Sequence, residues 1–148
     1  MKKFTILPMN EAHAAQVAEL EKLCFPDPWS LAAVESELHN PLSLWLVAVS
    51  DDKVIGYVGS QTVCGESDIM NLAVHPMSRK KGIASALMTA LSDELRRGGV
   101  TALMLEVRHT NEPAILLYEK LGFTCVGIRP NYYLHPREDA RIMRKELI

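Results

Sequence analysis

A short run of basic and small residues has the composition of a phosphate-binding site. It follows one predicted strand, opens a predicted helix and consists of Arg79, Lys80, Lys81, Gly82, Ile83 and Ala84. The first N–H groups of a helix have no intrahelical partner, and the helix dipole adds partial positive charge, so this end suits an anion. Gly82 and Ala84 lack bulk and let an anion approach closely. A solvated helix start is the alternative, but cations at this end oppose the dipole unless an anion binds.

Few other patterns in the chain have chemical meaning. Neither GxxxxGK(S/T) nor a GxGxxG after a first strand occurs, so two common nucleotide-binding loops are excluded. Cys24, Cys64 and Cys125 are odd in number and widely spaced, which fits small core residues better than a disulfide framework or a CxxC metal pair. The five histidines form no HExxH pair. We therefore expect no metal.

The hydrophobic pattern predicts the elements that position the basic run. A helix with one apolar stripe is predicted from Lys81, because apolar residues recur every four positions between Ile83 and Leu95. Asn10 and Ser30 are predicted N-caps of two earlier helices. The strands are predicted over 4–7, 44–49, 54–63, 67–74, 101–107, 123–128 and 139–147, and a fourth helix over 111–121, in the order βααβββαβαββ.

Length and composition limit the class of protein. The 148 residues suit one compact domain, and we expect a single domain over residues 1–148. The chain is 48% hydrophobic and 23% charged, which is ordinary for a soluble globular protein. A net charge of -2 gives no excess of positive charge to bind a nucleic-acid backbone, so we expect no direct nucleic-acid partner.

The apolar stretches are shorter than the roughly 20 residues that cross a bilayer, and the start lacks a signal-peptide core. We expect no membrane partner and a cytoplasmic monomer.

The basic run resembles a known signature. Arg79-x-x-Gly82-x-Ala84 is similar to the Q/R-x-x-G-x-G/A motif of the GNAT superfamily of N-acetyltransferases, and residues 70–76 (MNLAVHP) are similar to the strand before it. The resemblance implies an α/β fold with a mixed, mostly antiparallel sheet and helices on both faces. It also implies that the pyrophosphate of acetyl-CoA binds at residues 79–84. The pantetheine arm and thioester would then lie along the backbone of Leu72, Ala73 and Val74.

A closer resemblance covers nearly the whole chain. The similar segments are 25–30 (FPDPWS), 105–108 (LEVR), 117–123 (LYEKLGF), 129–133 (RPNYY) and 138–140 (EDA), and they resemble the ribosomal-protein alanine N-acetyltransferases of the superfamily. This implies direct acetyl transfer, in a ternary complex, to the N-terminal alanine of ribosomal protein S-18. The N-terminal segment of that protein is the implied partner. Segment 25–30 departs from the pattern, because it is longer than a tighter Phe-Pro-Trp version.

The resemblance assigns catalytic roles to two residues. Glu106 matches the general base and lies near the end of a mainly apolar predicted strand; a structural salt bridge to Arg108 is the alternative. Tyr118 matches the general acid for the departing thiolate; packing as a core aromatic against Leu121 and Phe123 is the alternative. A tyrosine with a pKa of about 10 is a weaker acid than a thiol near 8.5, so hydrogen bonding to the sulfur is expected to dominate its role.

Further positions are predicted to bind the cosubstrate and the peptide. Asn111 matches a position that contacts acetyl-CoA and is equally a good helix N-cap, and these two roles are compatible. An N–H group within residues 72–74, exposed by a bulge or splay between strands, is expected to bind the oxyanion. Glu138 and Asp139 either pair with basic residues of a substrate or form a solvated strand start. Each aromatic residue alone is more often part of a core, but a groove for an extended peptide end is predicted from Phe25, Trp29, Tyr132 and Tyr133.

The ionisation of the acceptor amine separates the alternatives. An α-amine with a pKa near 7.8 is roughly one-seventh neutral at pH 7, whereas a lysine near 10.4 is neutral in only about one molecule in 2,500. An N-terminal amine therefore needs less assistance from a general base to lose its proton than a lysine does. The nearest alternative is an acetyltransferase for a small amine, in which the aromatic residues would close a pocket. A non-catalytic acyl-CoA-binding module is disfavoured by the presence of both Glu106 and Tyr118.

Overall fold

The computed structural model describes residues 3–147, which form a seven-stranded sheet with helices on both faces. The element order predicted from the sequence is confirmed. The strands are β1 Thr5–Pro8, β2 Ser43–Ser50, β3 Lys53–Val63, β4 Glu66–Val74, β5 Ala102–Arg108, β6 Thr124–Leu134 and β7 Arg137–Glu146. The helices are α1 Glu11–Cys24, α2 Leu31–Glu37, α3 Ile83–Arg97 and α4 Glu112–Lys120, and a 3-10 turn covers Pro76–Ser78. No helix in this part of the chain is both long and apolar enough to cross a membrane.

Side-chain caps and a tight turn fix where several elements begin. The Asn10 side chain accepts a hydrogen bond from the Ala12 N–H (2.8 Å), and Ser30 Oγ accepts one from the Ala33 N–H (3.1 Å). Both residues cap helices as predicted. The aspartates at 51–52, between β2 and β3, have positive φ angles, as a type I′ hairpin turn requires.

Two hydrophobic cores lie on opposite faces of the sheet, because successive side chains of a strand point to opposite sides. On one face, α3 and α4 pack on the sheet around Leu87, Leu91 and Leu103. The predicted apolar stripe of α3 is buried in this core. On the other face, α1 and α2 pack around Val17 and Tyr57. We refer to these as the α3–α4 face and the α1–α2 face.

Strands β4 and β5 separate after a short parallel contact. Their register joins residues 66–68 to residues 102–104 only, whereas the other neighbouring strands are antiparallel. On its other side β4 carries a bulge, since Ile69 and Asn71 face consecutive residues of β3 and Met70 is extra. Beyond this point β4 and β5 leave an opening between them. We call this opening the notch, and it is bordered by residues 69–74 and 105–108.

Strand β6 is longer than predicted. The sequence predicts it over 123–128, but it continues to Leu134, with a step in register between Arg129 and Tyr133. Inside this step Asn131 has a φ of 54°, and its N–H donates to Asp139 Oδ1 (2.8 Å). The irregular step interrupts the alternating pattern that indicates a strand, so the sequence alone ends the strand too early.

Helix α3 begins two residues later than predicted, at Ile83 instead of Lys81. Lys80 and Gly82 have φ angles of 63° and 78°, which a right-handed helix does not accommodate. The chain therefore turns sharply between β4 and α3 and enters the helix at a glycine.

Candidate active site

The backbone of β4 presents polar groups to the notch. The His75 N–H donates to the Ile55 carbonyl of β3 (2.8 Å), so Ala73, two residues earlier, also turns its N–H and C=O towards β3. The groups of Leu72 and Val74 point the other way, into the notch. The sequence predicts a bulge or a splay at residues 72–74; the splay from β5 is present there, and the bulge lies just before it, at Met70. They leave the N–H groups of Leu72 and Val74 as the candidates for binding an oxyanion.

The end of β4 is held by a side chain of the basic run. Arg79 Nε donates to the Val74 carbonyl (3.1 Å), and Arg79 Nη2 lies 3.7 Å from Cys24 Sγ. The same carbonyl is 3.9 Å from Cys24 Sγ. Arg79 therefore fixes the strand that borders the notch, in addition to placing positive charge beside it.

The start of α3 has the open backbone that an anion requires. The first helical hydrogen bond runs from the Ala86 N–H to the Gly82 carbonyl (3.0 Å), so the N–H groups of residues 83–85 have no helical partner. Gly82 caps the helix without a side chain, and a Cβ there would meet no atom within 4 Å. Lys80 and Lys81 are exposed beside it. Ile83 is buried and Ala84 half-buried, so both offer only their backbone.

Glu106 projects from β5 towards the α1–α2 face. Its neighbours Leu105 and Val107 belong to the opposite core, and alternation places Glu106 on the other side. The side chain is 28% exposed, and Glu106 Oε1 lies 3.5 Å from Arg129 Nε. Burial raises the pKa of the Glu106 carboxyl; Arg129 lowers the pKa, and Asp68 raises it further. The net effect is a carboxylate that binds a proton more strongly than an exposed glutamate does.

The alternative pairing of Glu106 with Arg108 is wrong. Arg108 Nη1 lies 3.4 Å from Glu138 Oε1 and donates to the Pro136 carbonyl (2.9 Å). Glu138 Oε2 also accepts from the Thr110 N–H (2.7 Å). Glu138 and Arg108 therefore brace the turn between β6 and β7, and Glu106 faces Arg129 instead.

Tyr118 packs as a core aromatic, and its role as the general acid stays a prediction. Its ring packs edge-to-face on Phe123 with centroids 5.8 Å apart, and the residue is 9% exposed. Burial, with a smaller contribution from Tyr133, raises the pKa of the Tyr118 hydroxyl to about 12. The hydroxyl has no hydrogen-bond partner within residues 3–147. It is thus a protonated donor available to a ligand.

Asn111 caps α4. Its Oδ1 accepts from the Ala114 N–H (3.3 Å), so the N-cap reading is confirmed, and the residue is exposed. A contact between this amide and acetyl-CoA stays a prediction.

The aromatic residues predicted for the peptide lie in two pairs. The ring centroids of Tyr132 and Tyr133, near the end of β6, are 5.0 Å apart. The central carbon of the Arg108 guanidinium lies 4.3 Å from the centroid of the Tyr133 ring. Phe25 and Trp29 lie between α1 and α2 and are half-buried against the core of the α1–α2 face. The two regions meet where His135 Nδ1 lies 2.8 Å from Asp27 Oδ2. Both pairs therefore border the same side of the sheet as Glu106.

Three residues of this region escape prediction from the sequence. Arg129 and Asp68 act on Glu106 from β6 and β4, and only the paired strands bring them together. Glu21 is a fully buried carboxylate in α1. Its spacing of four from Val17 and seven from Ala14, both buried, could have indicated a polar residue on an apolar helix face.

Comparisons with known proteins agree with this geometry. The sequence pattern of the acetyltransferase (GNAT) family matches residues 14–123. The chain is 37% identical over 146 residues to the ribosomal protein bS18-alanine N-acetyltransferase of Salmonella typhimurium, covering 97% of this chain and 96% of that protein. It is also 35% identical over 144 residues to the uncharacterized protein ML0378 of Mycobacterium leprae, covering 93% of this chain and spanning 39% of the length of that protein.

A solved structure extends the similarity to the fold. The crystal structure of the ribosomal-protein-S18-alanine N-acetyltransferase from Escherichia coli aligns with a TM-score of 0.90 and 34% identity, covering 98% of this chain and 94% of that one. The chain therefore belongs to the acetyltransferase (GNAT) family, and these ribosomal-protein alanine N-acetyltransferases are among its relatives. The predicted family, fold and cosubstrate, acetyl-CoA, are confirmed.

The residues of the site fit this cosubstrate. Unpaired N–H groups and two exposed lysines at the start of α3 match a pyrophosphate, and the notch exposes β4 backbone where an extended arm could lie. Within residues 3–147 no three histidine, cysteine or acidic side chains lie together as metal ligands.

Proposed function

We propose that the protein transfers the acetyl group of acetyl-CoA to the α-amino group of the N-terminal alanine of ribosomal protein bS18. The observation that carries this proposal is the place of Glu106, a carboxylate of raised pKa beside the notch and close to the exposed Tyr132 and the half-buried Tyr133. The relatives that cover nearly the whole chain bear the name of this reaction. A cytoplasmic monomer without a nucleic-acid partner is part of the proposal.

Different groups of the protein bind different parts of the cosubstrate. The N–H groups of residues 83–85, with Lys80, Lys81 and the charge of Arg79, hold the pyrophosphate. The notch-facing groups of Leu72 and Val74 hold the pantetheine arm, and the Asn111 amide makes a further contact. When bound, acetyl-CoA supplies an acetyl group activated as a thioester.

Glu106 acts as the general base. Its carboxylate accepts the proton that the α-ammonium group must lose before the amine can attack. An α-amine with a pKa near 7.8 is already roughly one-seventh neutral at pH 7, so one carboxylate, acting directly or through water, is adequate. None of the residues assigned to this site is a cysteine, which favours direct transfer over an acyl-enzyme.

Tyr118 is assigned to the departing thiolate. With its pKa raised to about 12, the hydroxyl is a weaker acid than a thiol near 8.5 and stays protonated. Its role is to donate a hydrogen bond to the departing thiolate rather than to lose its proton outright. This stabilises negative charge where water is largely excluded.

The peptide binds on the α1–α2 face. Tyr132 is 49% exposed beside the Glu106 carboxylate, and Asp68 adds a second negative charge to the same surface. A positively charged α-ammonium group is therefore attracted to the place where it must be deprotonated.

Mass spectrometry tests the proposal with two peptides. One carries the free N-terminal sequence of bS18, and the other is N-blocked but has an internal lysine. We expect one acetyl group on the first peptide only. Modification of the second peptide alone would contradict the N-terminal assignment. Modification of neither, with acetyl-CoA bound, would favour a small amine or a binding module.

A further inference from the structure

Glu21 is a buried carboxylate that joins three separate elements. It lies in α1, is 0% exposed, and no cation pairs with it in the described part of the chain. Its Oε1 accepts from the Trp29 N–H (2.9 Å), and its Oε2 accepts from Asn71 Nδ2 (2.6 Å) and from the Tyr57 hydroxyl. A buried charge persists only when such donors replace the lost water, so the three hydrogen bonds hold one another in place.

The partners of Glu21 belong to the two sides of the proposed active site. Trp29 is in the loop assigned to the peptide, whereas Asn71 follows the bulge of β4, at the strand assigned to the thioester. Tyr57, on β3, donates the third hydrogen bond to the carboxylate. Burial and the Glu21 charge both raise the pKa of the Tyr57 hydroxyl, so it stays a donor. Glu21 is thus the direct link between the loop and the strand.

We propose that Glu21 is a positioning residue that sets the distance between the loop at residues 25–30 and the β4 backbone. This proposal rests on the proposed function, which assigns the peptide to that loop and the thioester to that strand. Glu21 touches neither reactant and acts through Trp29 and Asn71. A misplacement of about 1 Å between reacting groups is enough to lower a rate about 100-fold.

The chain contains a matched control for this idea. Glu37, in α2, is a second carboxylate, 7% exposed, with donors from Trp45 Nε1 (3.1 Å) and Gln61 Nε2 (2.8 Å). Its remaining hydrogen bonds come from Ser43 and Asn40, so it contacts neither the loop nor β4. Glu37→Gln therefore loses a buried carboxylate of the same kind without losing the link.

Steady-state kinetics and calorimetry separate positioning from folding. For Glu21→Gln we expect kcat/KM for the N-terminal peptide to fall about 10- to 100-fold, with the Kd for CoA within about 2-fold of wild type. For Glu37→Gln we expect a comparable fall in Tm and a kcat/KM within about 2-fold of wild type. Asn71→Leu breaks the link from the β4 side and should reproduce the kinetic loss if Glu21→Gln folds poorly.

Hydrogen–deuterium exchange tests the link without any turnover. With CoA bound, the Trp29 amide, which donates to Glu21 Oε1, should exchange faster in Glu21→Gln than in wild type and stay protected in Glu37→Gln. Unchanged protection of this amide, or equal kinetic losses in the two variants, would overturn the positioning role. A wild-type protein that acetylates neither peptide would refute the proposed function instead, and the exchange result would still decide whether Glu21 holds the loop.

Discussion

Glu106 Oε1 lies 3.5 Å from Arg129 Nε, close enough for attraction but long for a hydrogen bond. The Arg129 side chain is 54% exposed and the Glu106 side chain 28% exposed, so water screens the pair on one side only. Burial nevertheless prevails, and the pKa of Glu106 lies above its ordinary value. A base needs this balance, because its carboxylate must be ionised near neutral pH and still hold a proton well.

Removing the carboxylate of Glu106 should abolish most of the turnover. We expect Glu106→Gln to lower kcat about 100-fold or more, in the range of general-base catalysis, while the Kd for CoA changes by less than about 2-fold. Glu66→Gln is the control, since Glu66 forms an ion pair with Arg144 at 3.0 Å on the surface of the sheet. If both variants keep full turnover between pH 5 and 9, Glu106 has no part in proton transfer.

The two charges beside Glu106 should move the pH profile in opposite directions. Arg129 lowers the pKa of Glu106 and Asp68 raises it. Because the base works only when deprotonated, Asp68→Asn should shift the acid limb of kcat/KM to lower pH, and Arg129→Gln should shift it to higher pH. The free peptide amine ionises identically for all variants, so differences between their kcat/KM profiles between pH 4.5 and 9 report the enzyme group. Shifts of the same sign would contradict the assignment.

Substitution of Gly82 should weaken the binding of the cosubstrate more than it lowers the stability of the fold. Its φ is 78° and that of Gly65, in the turn between β3 and β4, is 79°, and an added Cβ would meet nothing within 4 Å at either position. Alanine at each position therefore introduces about the same strain, on the order of 1 kcal/mol. Calorimetry with CoA should find weaker binding for Gly82→Ala, and still weaker binding for Gly82→Glu, but unchanged binding for Gly65→Ala. Equal affinities in all three variants would remove the phosphate site from the start of α3.

Local patterns in the sequence predict much of the framework of this site. Asn10 and Ser30 indicate helix starts because a short polar side chain satisfies free N–H groups at that place. The spacing from Ile83 to Leu95 determines which face of α3 is buried, whatever strands lie beneath it. The role of Glu106 comes from resemblance, and its partner Arg129 could not be predicted. That contact depends on β7 pairing with both β5 and β6, which is a long-range property of the sheet.

The hydroxyl of Tyr118 should affect turnover and leave the fold intact. We expect Tyr118→Phe to lower kcat about 10-fold, the loss of one hydrogen bond of about 1.4 kcal/mol to the leaving group, with little change in Tm because the ring still packs on Phe123. Phe123→Leu is the converse variant, which disturbs that packing, keeps the hydroxyl and should lower Tm more than kcat. Because its pKa is about 12, the Tyr118 hydroxyl stays protonated up to pH 10. The kcat of wild type and that of Tyr118→Phe should therefore depend on alkaline pH in the same way. An alkaline limb below pH 10 that disappears only in Tyr118→Phe would mean that the hydroxyl ionises during turnover and acts as a true acid.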